Sequence, residues 1–314
     1  MATSGSTDVN LTRNQIITDA LMAIGVLGAE DTLAASDQTY ANRVLDQMIK
    51  QWQATGIGLW AKTEATLFLT DGTAKYQLGG SGAAKASNTV VETTTTAAAA
   101  LGASTIAVTT ATGMAVSDNI GIVLDNNTIQ WTTISAIASL TITLAATLTS
   151  AAASGNRVYT YTTAVGRPLD ITQVRLRNDS DSDRVLTPLA REDYFAIYNK
   201  TTEGVPSVCY YDSQLNSAFL YIWPVPDSVD MRIKYTYTRT LDDMDSATDN
   251  PDFPQEWLLA IVFNLAVLLA PAYGKEPKVQ QGLGQMASYA LQTARSFDID
   301  AGSVFFRPDT GDDR

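Results

Sequence analysis

Histidine is absent from this 314-residue chain, and cysteine occurs once, at Cys209. Without an imidazole base, Ser–His and Cys–His nucleophile pairs are excluded. A Cys/His zinc site is excluded with them, and a single thiol cannot form a disulfide within the chain. Charge is scarce: Asp, Glu, Lys and Arg make up 17% of the residues, against about a quarter in ordinary soluble proteins. A phosphate-cradling loop is missing, because GGSGAAK lacks the P-loop spacing and the Ser/Thr after its lysine. The opening MATSGSTDVN has neither a basic nor an apolar region, so no secretory signal is expected and synthesis is assigned to a cytoplasm.

What charge there is leans acidic, with 33 Asp and Glu against 21 Lys and Arg, a formal net charge of −12. A balance of that sign argues against gripping nucleic-acid phosphates. It suits a wall past which DNA slides without sticking. Thr, Ser, Asn and Gln supply the surface polarity in place of charge.

The first sixty residues read as two helices. Thr12 and Gln15 make a capping-box pattern ahead of Ile16, Ile17, Ala20, Leu21, Ile24 and Leu27 at helical spacing. Gly28 is the expected stop. A second helix starts near Ser36, buries Tyr40, Val44, Leu45, Met48, Ile49 and Trp52, and ends at Gly56. The two stripes are expected to face each other as an αα-hairpin.

The period then changes. Asp71-Gly72 lies between two strand-like runs over residues 63–78, a hairpin signal, and GGSGAAKASN reads as a linker. Residues 90–112 are rich in Thr and Ala, but the segments after them alternate: Ile120/Ile122/Leu124, Ile129/Trp131, Leu140/Ile142/Leu144 and Tyr159/Tyr161. With Ile106/Val108 they suggest five short strands in a compact barrel or sandwich. From Pro168 onward PLDITQVRLR reads as a strand and REDYFAIYN as a short helix. Two strands around residues 213–217 follow. DMRIKYTYTR then sets Met231, Ile233, Tyr235 and Tyr237 against Arg232, Lys234 and Thr236, an antiparallel meander with one solvated face.

After an acidic loop the chain returns to helix. Residues 257–270 hold fourteen positions with Asn264 as the one polar side chain. Pro254 suits a first turn, and Pro271 closes the run. It falls short of the about 20 residues a membrane span needs, and Asp249, Asp252 and Glu256 stand where flanking cations would be. Two readings stay open instead: a helix buried on all sides within the chain, or one with a face packed within the chain and another against a neighbouring subunit, since a run apolar all round has no period to separate them. A last helix over about residues 279–297 is expected to set Leu283, Met286, Ala290, Leu291, Ala294 and Phe297 on one face, and it is followed by DIDAGSVFFRPDTGDDR, which has no period and carries Val304, Phe305 and Phe306 as an apolar plug.

The expected fold class is therefore α+β: N- and C-terminal helices forming one bundle, with inserted antiparallel β domains, a small barrel or sandwich plus a meander. The segments are 1–62 (helical half), 63–89 (hairpin and linker), 90–165 (Thr/Ala-rich β domain), 166–249 (second β region), 250–297 (helical half) and 298–314 (extended arm).

Few stretches look chemical. Asp179, Asp181 and Asp183 match the opening of a calcium loop. The match fails at Arg184, where Gly is needed, and at Ala190, where Glu is needed, so a solvated turn is expected. The Asp242/Asp243/Asp245/Asp249/Asp252 cluster has the same reading. Aromatic and basic residues mix in RIKYTYTR and REDYFAIYNK, as in stacking on nucleic acid, but a core-facing Tyr row fits better. Cys209 is a small apolar filler. A carboxylate hydrolase needs a paired-carboxylate cleft that nothing here marks. No catalytic, metal or cofactor site is expected, and the chain reads as a non-enzymatic structural or interaction protein.

Two stretches together carry a resemblance. LDQMIKQWQATGIGLW (45–60), with Trp52 and Gly56-Ile57, is followed far along the chain by FPQEWLLAIVFNLAVLLAPAYG (253–274), with Asn264-Leu265-Ala266 and Ala270-Pro271-Ala272-Tyr273. The pair resembles the head-to-tail adaptor (packaged-DNA stabilisation, portal-binding connector) proteins of tailed bacteriophages. The resemblance covers about a third of the chain. It implies a ring of usually twelve copies beneath the portal that continues the DNA channel and meets the tail tube, nozzle or next tail protein. It implies a virion protein of the head–tail junction, assembled in the host bacterial cytoplasm, with DNA passing unbound and no membrane span. It also implies that the C-terminal arm, with Val304, Phe305 and Phe306, reaches along the portal. Compact members of that family keep their helical halves close together, whereas here about 186 residues (64–249) intervene. The rival expectation, from the Thr-rich β regions, is a surface- or glycan-binding tail or adhesin component.

Overall fold

The computed structural model describes residues 9–56, 58–80 and 85–298. The chain opens with helices α1 (Arg13–Ala23) and α2 (Ala35–Ala54). Strands β1 (Lys62–Phe68), β2 (Lys75–Leu78), β3 (Ala86–Ser87), β4 (Val91–Thr94) and β5 (Thr105–Ala107) follow. Next come β6 (Asn119–Val123), β7 (Ile129–Ala138), β8 (Thr141–Leu144), β9 (Arg157–Tyr161) and β10 (Asp170–Arg177). Then come β11 (Asp183–Val185), β12 (Thr187–Pro188), the short helix α3 (Arg191–Ala196), β13 (Val208–Ser213), β14 (Ala218–Trp223) and β15 (Arg232–Thr238). Helices α4 (Leu258–Leu269) and α5 (Pro277–Phe297) end the described chain. The fold is mixed α+β with mostly antiparallel sheets. It divides into a helical unit, Met1–Ala61 with Leu241–Arg314, and a β unit, Lys62–Thr240.

In the helical unit, both ends of the chain feed one hydrophobic cluster. Ile16 and Leu21 from α1, Leu45 and Met48 from α2, and Ile261 and Leu265 from α4 are all within 2% of full burial there. Each such side chain contributes about 1.5–3 kcal/mol. The Thr12/Gln15 capping box forms as expected. The helix stops earlier than Gly28, because Gly25 adopts φ +66°. The Val26 amide then donates to Leu21 O at 2.9 Å and the Gly25 amide to Met22 O at 2.9 Å, a Schellman closure. Leu27 still packs on the cluster, but from the turn and not from the helix.

Helix α4 ends at Leu269, just before Pro271, as expected. Among the described residues, no helix is long and apolar enough to cross a membrane. Burial on all sides is not what forms, however: Leu259 is 59% exposed and Leu268 45%. Periodicity could not reveal this, since the run is apolar all round. Asn264 finds its partners in Ala260 O at 2.8 Å, one turn back, and Ala287 O of α5 at 3.3 Å.

In the β unit, two sheets share a core. One has the order β11-β10-β15-β1-β3, the other β12-β13-β14-β2. Leu67, Ile233 and Tyr235 from the first meet Leu78, Leu220 and Ile222 from the second. The strands around Asp71-Gly72 are not a hairpin: β1 pairs with β15 and β2 with β14, so the turn carries the chain from one sheet to the other. Part of the expected linker, Ala86–Ser87, pairs with β1. The meander is likewise split, with β13–β14 in one sheet and β10–β15 in the other.

A third sheet, β4-β9-β6-β7-β8-β5, is the Thr/Ala-rich region. It has six strands, not five, because β4 forms inside the run of threonines. The sheet curls until its edges meet at the Thr95↔Val108 bridge, closed further by the Thr94–Thr109 hydroxyl contact at 2.9 Å. Edge-to-edge closure removes the exposed ladder that a Thr-rich edge strand would offer to other chains. Ile106, Ile120, Ile122, Ile142 and Val158 fill the interior.

Candidate functional site

The two stretches that carry the family resemblance meet in space. Trp52 at the end of α2 and Trp60 just beyond it both pack on Trp257, at ring-centroid distances of 5.8 and 5.1 Å. Phe253 completes the group, 5.3 Å from Trp60 and 6.0 Å from Trp257. The Trp60 indole donates to Asp252 O at 3.1 Å, which satisfies the polar edge that a packed indole brings with it. The acidic loop before α4 is tied to the first helices as well. Lys50 pairs with Asp243 at 2.5 Å, and Arg13 donates from its backbone to Asp249 O at 2.8 Å and from its side chain to Met244 O. Asp249 and Asp252 accept backbone amides of Ser246 and Asp242, so these carboxylates close turns within the loop. After α4, the Tyr273 hydroxyl donates to Asp37 at 2.9 Å. Burial, reinforced by that carboxylate, pushes the Tyr273 hydroxyl up to about 12.

The second constellation is in the β unit. Arg232 was expected on a solvated face, yet it is 1% exposed. Ile233, Tyr235 and Tyr237 of β15 face the core of the paired sheets. Arg232 projects the other way, onto the curled third sheet. Its guanidinium donates to the Tyr159 hydroxyl at 2.9 Å and to Asp181 at 2.8 Å, and lies 3.3 Å from Glu92. Phe68, the cross-strand neighbour of Arg232, stacks in the same junction on Tyr159, Tyr161 and Trp131. Burial raises the Tyr159 hydroxyl above its ordinary range, while the Arg232 charge pulls the other way.

The calcium-like run is consumed by arginines. Asp179 pairs with Arg157 at 2.8 Å, Asp181 with Arg232, and Asp183 with Arg177 at 2.7 Å. The hydrogen bond from Arg177 holds the Asp183 carboxyl below its usual range. Alternate residues of one turn thus reach three different strands, and no cation is needed to offset their charge. Among the described residues, no group of three or more His, Cys, Asp or Glu side chains could hold a metal ion. Cys209 faces the core of the paired sheets, and burial pushes its thiol up to about 11. The arm residues Val304, Phe305 and Phe306 lie outside the described residues.

The Arg232 junction is what sequence reading missed. In an alternating strand, Arg232 occupies the polar register, and only a second sheet arriving from elsewhere in the chain turns that register into an interior one.

An aromatic face on β13 and β14 also stands out. Tyr210, Tyr221, Tyr194 and Phe195 lie within 6 Å of one another. The chain's own cations already occupy it: Lys200 sits 4.3 Å above Tyr194, and Lys75 sits 4.0 Å above Phe219. The open cavity at Trp60, Pro254, Glu256, Trp257, Phe297 and Asp298, about 430 Å³, offers two carboxylates and no base opposite them.

The described features are contact surfaces and internal braces, and comparison with known families points to a phage structural protein. The family model of the SU10 adaptor protein matches residues 115–308, more than half of the chain, and the chain belongs to that family. The match includes the 253–274 stretch and leaves out 45–60. It also takes in most of the β excursion, which is therefore part of the family pattern and not a decoration peculiar to this chain. Among solved structures, VP17, a capsid protein of bacteriophage P23-77, is similar at 12% identity over 60% of this chain and 72% of that chain. Its TM-score of 0.12 carries no argument. No curated protein matches the chain.

Proposed function

We propose that this protein is a non-enzymatic adaptor that joins the portal vertex of a tailed-phage capsid to the tail and continues the DNA channel. In this reading the helices from both chain ends form one bundle, and about twelve copies build a ring at the head–tail junction after synthesis in the host cytoplasm. The portal lies on one side and the tail tube, nozzle or next tail protein on the other. Membership of the adaptor family carries the reading. The net charge of −12 supports a conduit, since a basic lining would hold the passing phosphates. The arm with Val304, Phe305 and Phe306 is assigned to the portal.

Light scattering on the purified protein with and without its portal protein, together with negative-stain images, tests this. Rings alone or on portal are expected. A strict monomer that ignores portal overturns the reading. The glycan-binding alternative is disfavoured because the aromatic face that would serve it is filled by Lys75 and Lys200.

A further inference from the structure

The two sheets that share a core are closed differently at their two sides. At one side the chain closes itself: Leu186, between β11 and β12, is buried and donates its amide to Val174 O at 2.9 Å. At the other, β2 ends its sheet. The Ile222 amide donates to Ala74 O at 2.9 Å, which makes residues 74 and 222 a hydrogen-bonded pair. Bonded and non-bonded pairs alternate along an antiparallel ladder. In the β2–β14 register, Tyr76 and Leu78 therefore bond to Leu220 and Ala218, while Lys75 and Gln77 turn their amides and carbonyls outward. Among the described residues no strand takes up that side.

An open ladder edge is commonly guarded by a lysine hanging over it. Lys75 does not guard this one. Its ammonium lies 4.0 Å over the Phe219 ring and 5.4 Å over Tyr221, both on the paired strand β14. Beside the edge is a cavity of about 330 Å³, walled by Leu67, Phe68, Tyr76 and Phe219 together with Lys75 and Lys85. That is the low end of the about 300–1,000 Å³ of small-molecule sites, and it suits a side chain better than a whole ligand.

Neither lysine meets a carboxylate among the described residues. The Lys85 ammonium lies 5.2 Å over Trp131, and burial pulls it below its ordinary range with no acid to offset the effect. In a chain with 33 acidic against 21 basic side chains, two such cations at one cavity are out of keeping with the rest of the surface. The open backbone groups call for an extended chain, the cavity for an apolar side chain and the lysines for carboxylates. An extended acidic peptide supplies all three, because its side chains alternate between two faces. A nucleic-acid strand brings charge but no amides to pair with the ladder.

We propose that the edge of β2 receives an extended acidic segment of a partner protein. The segment adds a fifth strand to the β12-β13-β14-β2 sheet, seats an apolar side chain in the cavity and sets its Asp or Glu residues by Lys75 and Lys85. This goes beyond the adaptor reading and does not rest on it.

The test is fluorescence anisotropy of the full-length protein with a labelled peptide, Glu-Val-Asp-Phe-Asp-Val-Glu. Two controls accompany it: the same peptide with every acid replaced by Lys, and the same peptide N-methylated at alternate amides so that it cannot pair. The acidic peptide is expected to bind at least about ten times more tightly than either control. No binding, or a preference for the Lys peptide, overturns the proposed occupant. Equal binding of the methylated peptide overturns strand addition. Gln77→Pro removes an outward amide and leaves the ladder to β14 intact, a substitution that edge strands tolerate. It is expected to lower affinity to the level of the methylated control with an unchanged circular dichroism spectrum. Full binding by a folded Gln77→Pro counts against the edge, and if that variant fails to fold, the methylated peptide on the natural chain decides the same point. Lys75→Glu/Lys85→Glu should reverse the preference between the acidic and Lys peptides, and an unchanged preference removes the lysines from the site. Displacement of the peptide by oligothymidylate at similar concentration overturns the proposal in favour of a general anion patch. None of these measurements involves ring formation or portal, so failure here leaves the adaptor reading standing.

Discussion

The Arg232 guanidinium donates to the Tyr159 hydroxyl at 2.9 Å, and through that contact strand β15 of the paired sheets holds strand β9 of the curled sheet. Arg232 is fully buried, whereas its carboxylate partners Asp181 and Glu92 keep solvent access, with side chains 62 and 34% exposed. The arginine is thus the hub, and the acids are its replaceable ends.

Truncating the hub is expected to be costly. Arg232→Ala should lower stability by about 2–3 kcal/mol, the scale of lost charged hydrogen bonds at a buried site. Arg232→Lys should recover little, because an ammonium cannot reproduce the planar fork that spans Tyr159 and Asp181. Asp181→Asn should cost less than about 1 kcal/mol, since its own end is exposed. Urea unfolding midpoints compare the three, and equal losses for Arg232→Ala and Asp181→Asn would remove the hub assignment.

Two leucines three residues apart on α4 should behave differently. Leu265 is 0% exposed and Leu268 45%. Leu265→Asp puts a carboxylate into the shared cluster and is expected to abolish folding of the helical unit, seen as lost helical circular dichroism. Leu268→Asp is expected to fold with a stability change of about 1 kcal/mol or less. If Leu268→Asp folds but no longer assembles, the exposed side of α4 is an intersubunit surface.

Gly121 lies directly across the ladder from Trp131, and a Cβ added there would sit 2.7 Å from the indole ring. That ring is held by Phe68 at 5.1 Å and Tyr161 at 5.5 Å, so it cannot retreat freely. Gly121→Val should destabilise the β unit by about 1–3 kcal/mol through overpacking. Trp131 fluorescence and thermal unfolding would register this, and an unchanged midpoint would show that the ring swings clear.

Stability should be flat near neutrality and fall in alkali. No histidine is present to titrate between pH 6 and 8. Burial pushes the Tyr211 hydroxyl, which donates to Pro168 O at 2.6 Å, up to about 12, the same level as Tyr273. An unfolded tyrosine ionises near about 10. Above that pH the unfolded chain releases protons that the folded chain keeps, so the tyrosine contribution is full below about pH 10 and is lost as pH rises towards 12. Urea midpoints at pH 7, 9, 10 and 11 should trace this, and Tyr211→Phe should flatten the decline. A midpoint falling already between pH 7 and 9 would point to other groups.

Local chemistry was legible where neighbours in sequence decide it. The Thr12 capping box, the stop before Pro271, the short helix at Arg191–Ala196 and the strand alternation of residues 120–161 follow from contacts within one or two turns. The same reasoning misjudged the Asp71-Gly72 turn, because a tight turn specifies a change of direction and not which strand will pair. It also placed Arg232 in solvent, because alternation separates two faces without saying what covers each.

By itself, then, the sequence settled the exclusions and the periods: no imidazole chemistry, no internal disulfide, helices at both ends and alternating strands between. Those depend on residue identity and on backbone geometry repeated over a few positions. The tertiary structure alone decided that Trp52, Trp60 and Trp257 would close the two ends on each other, that three aspartates of one turn would go to three arginines, and that α5 would leave Met286 and Phe297 of its apolar face uncovered. Each of these joins or separates residues far apart in the chain, and such contacts are set by how whole elements pack, which no local period records.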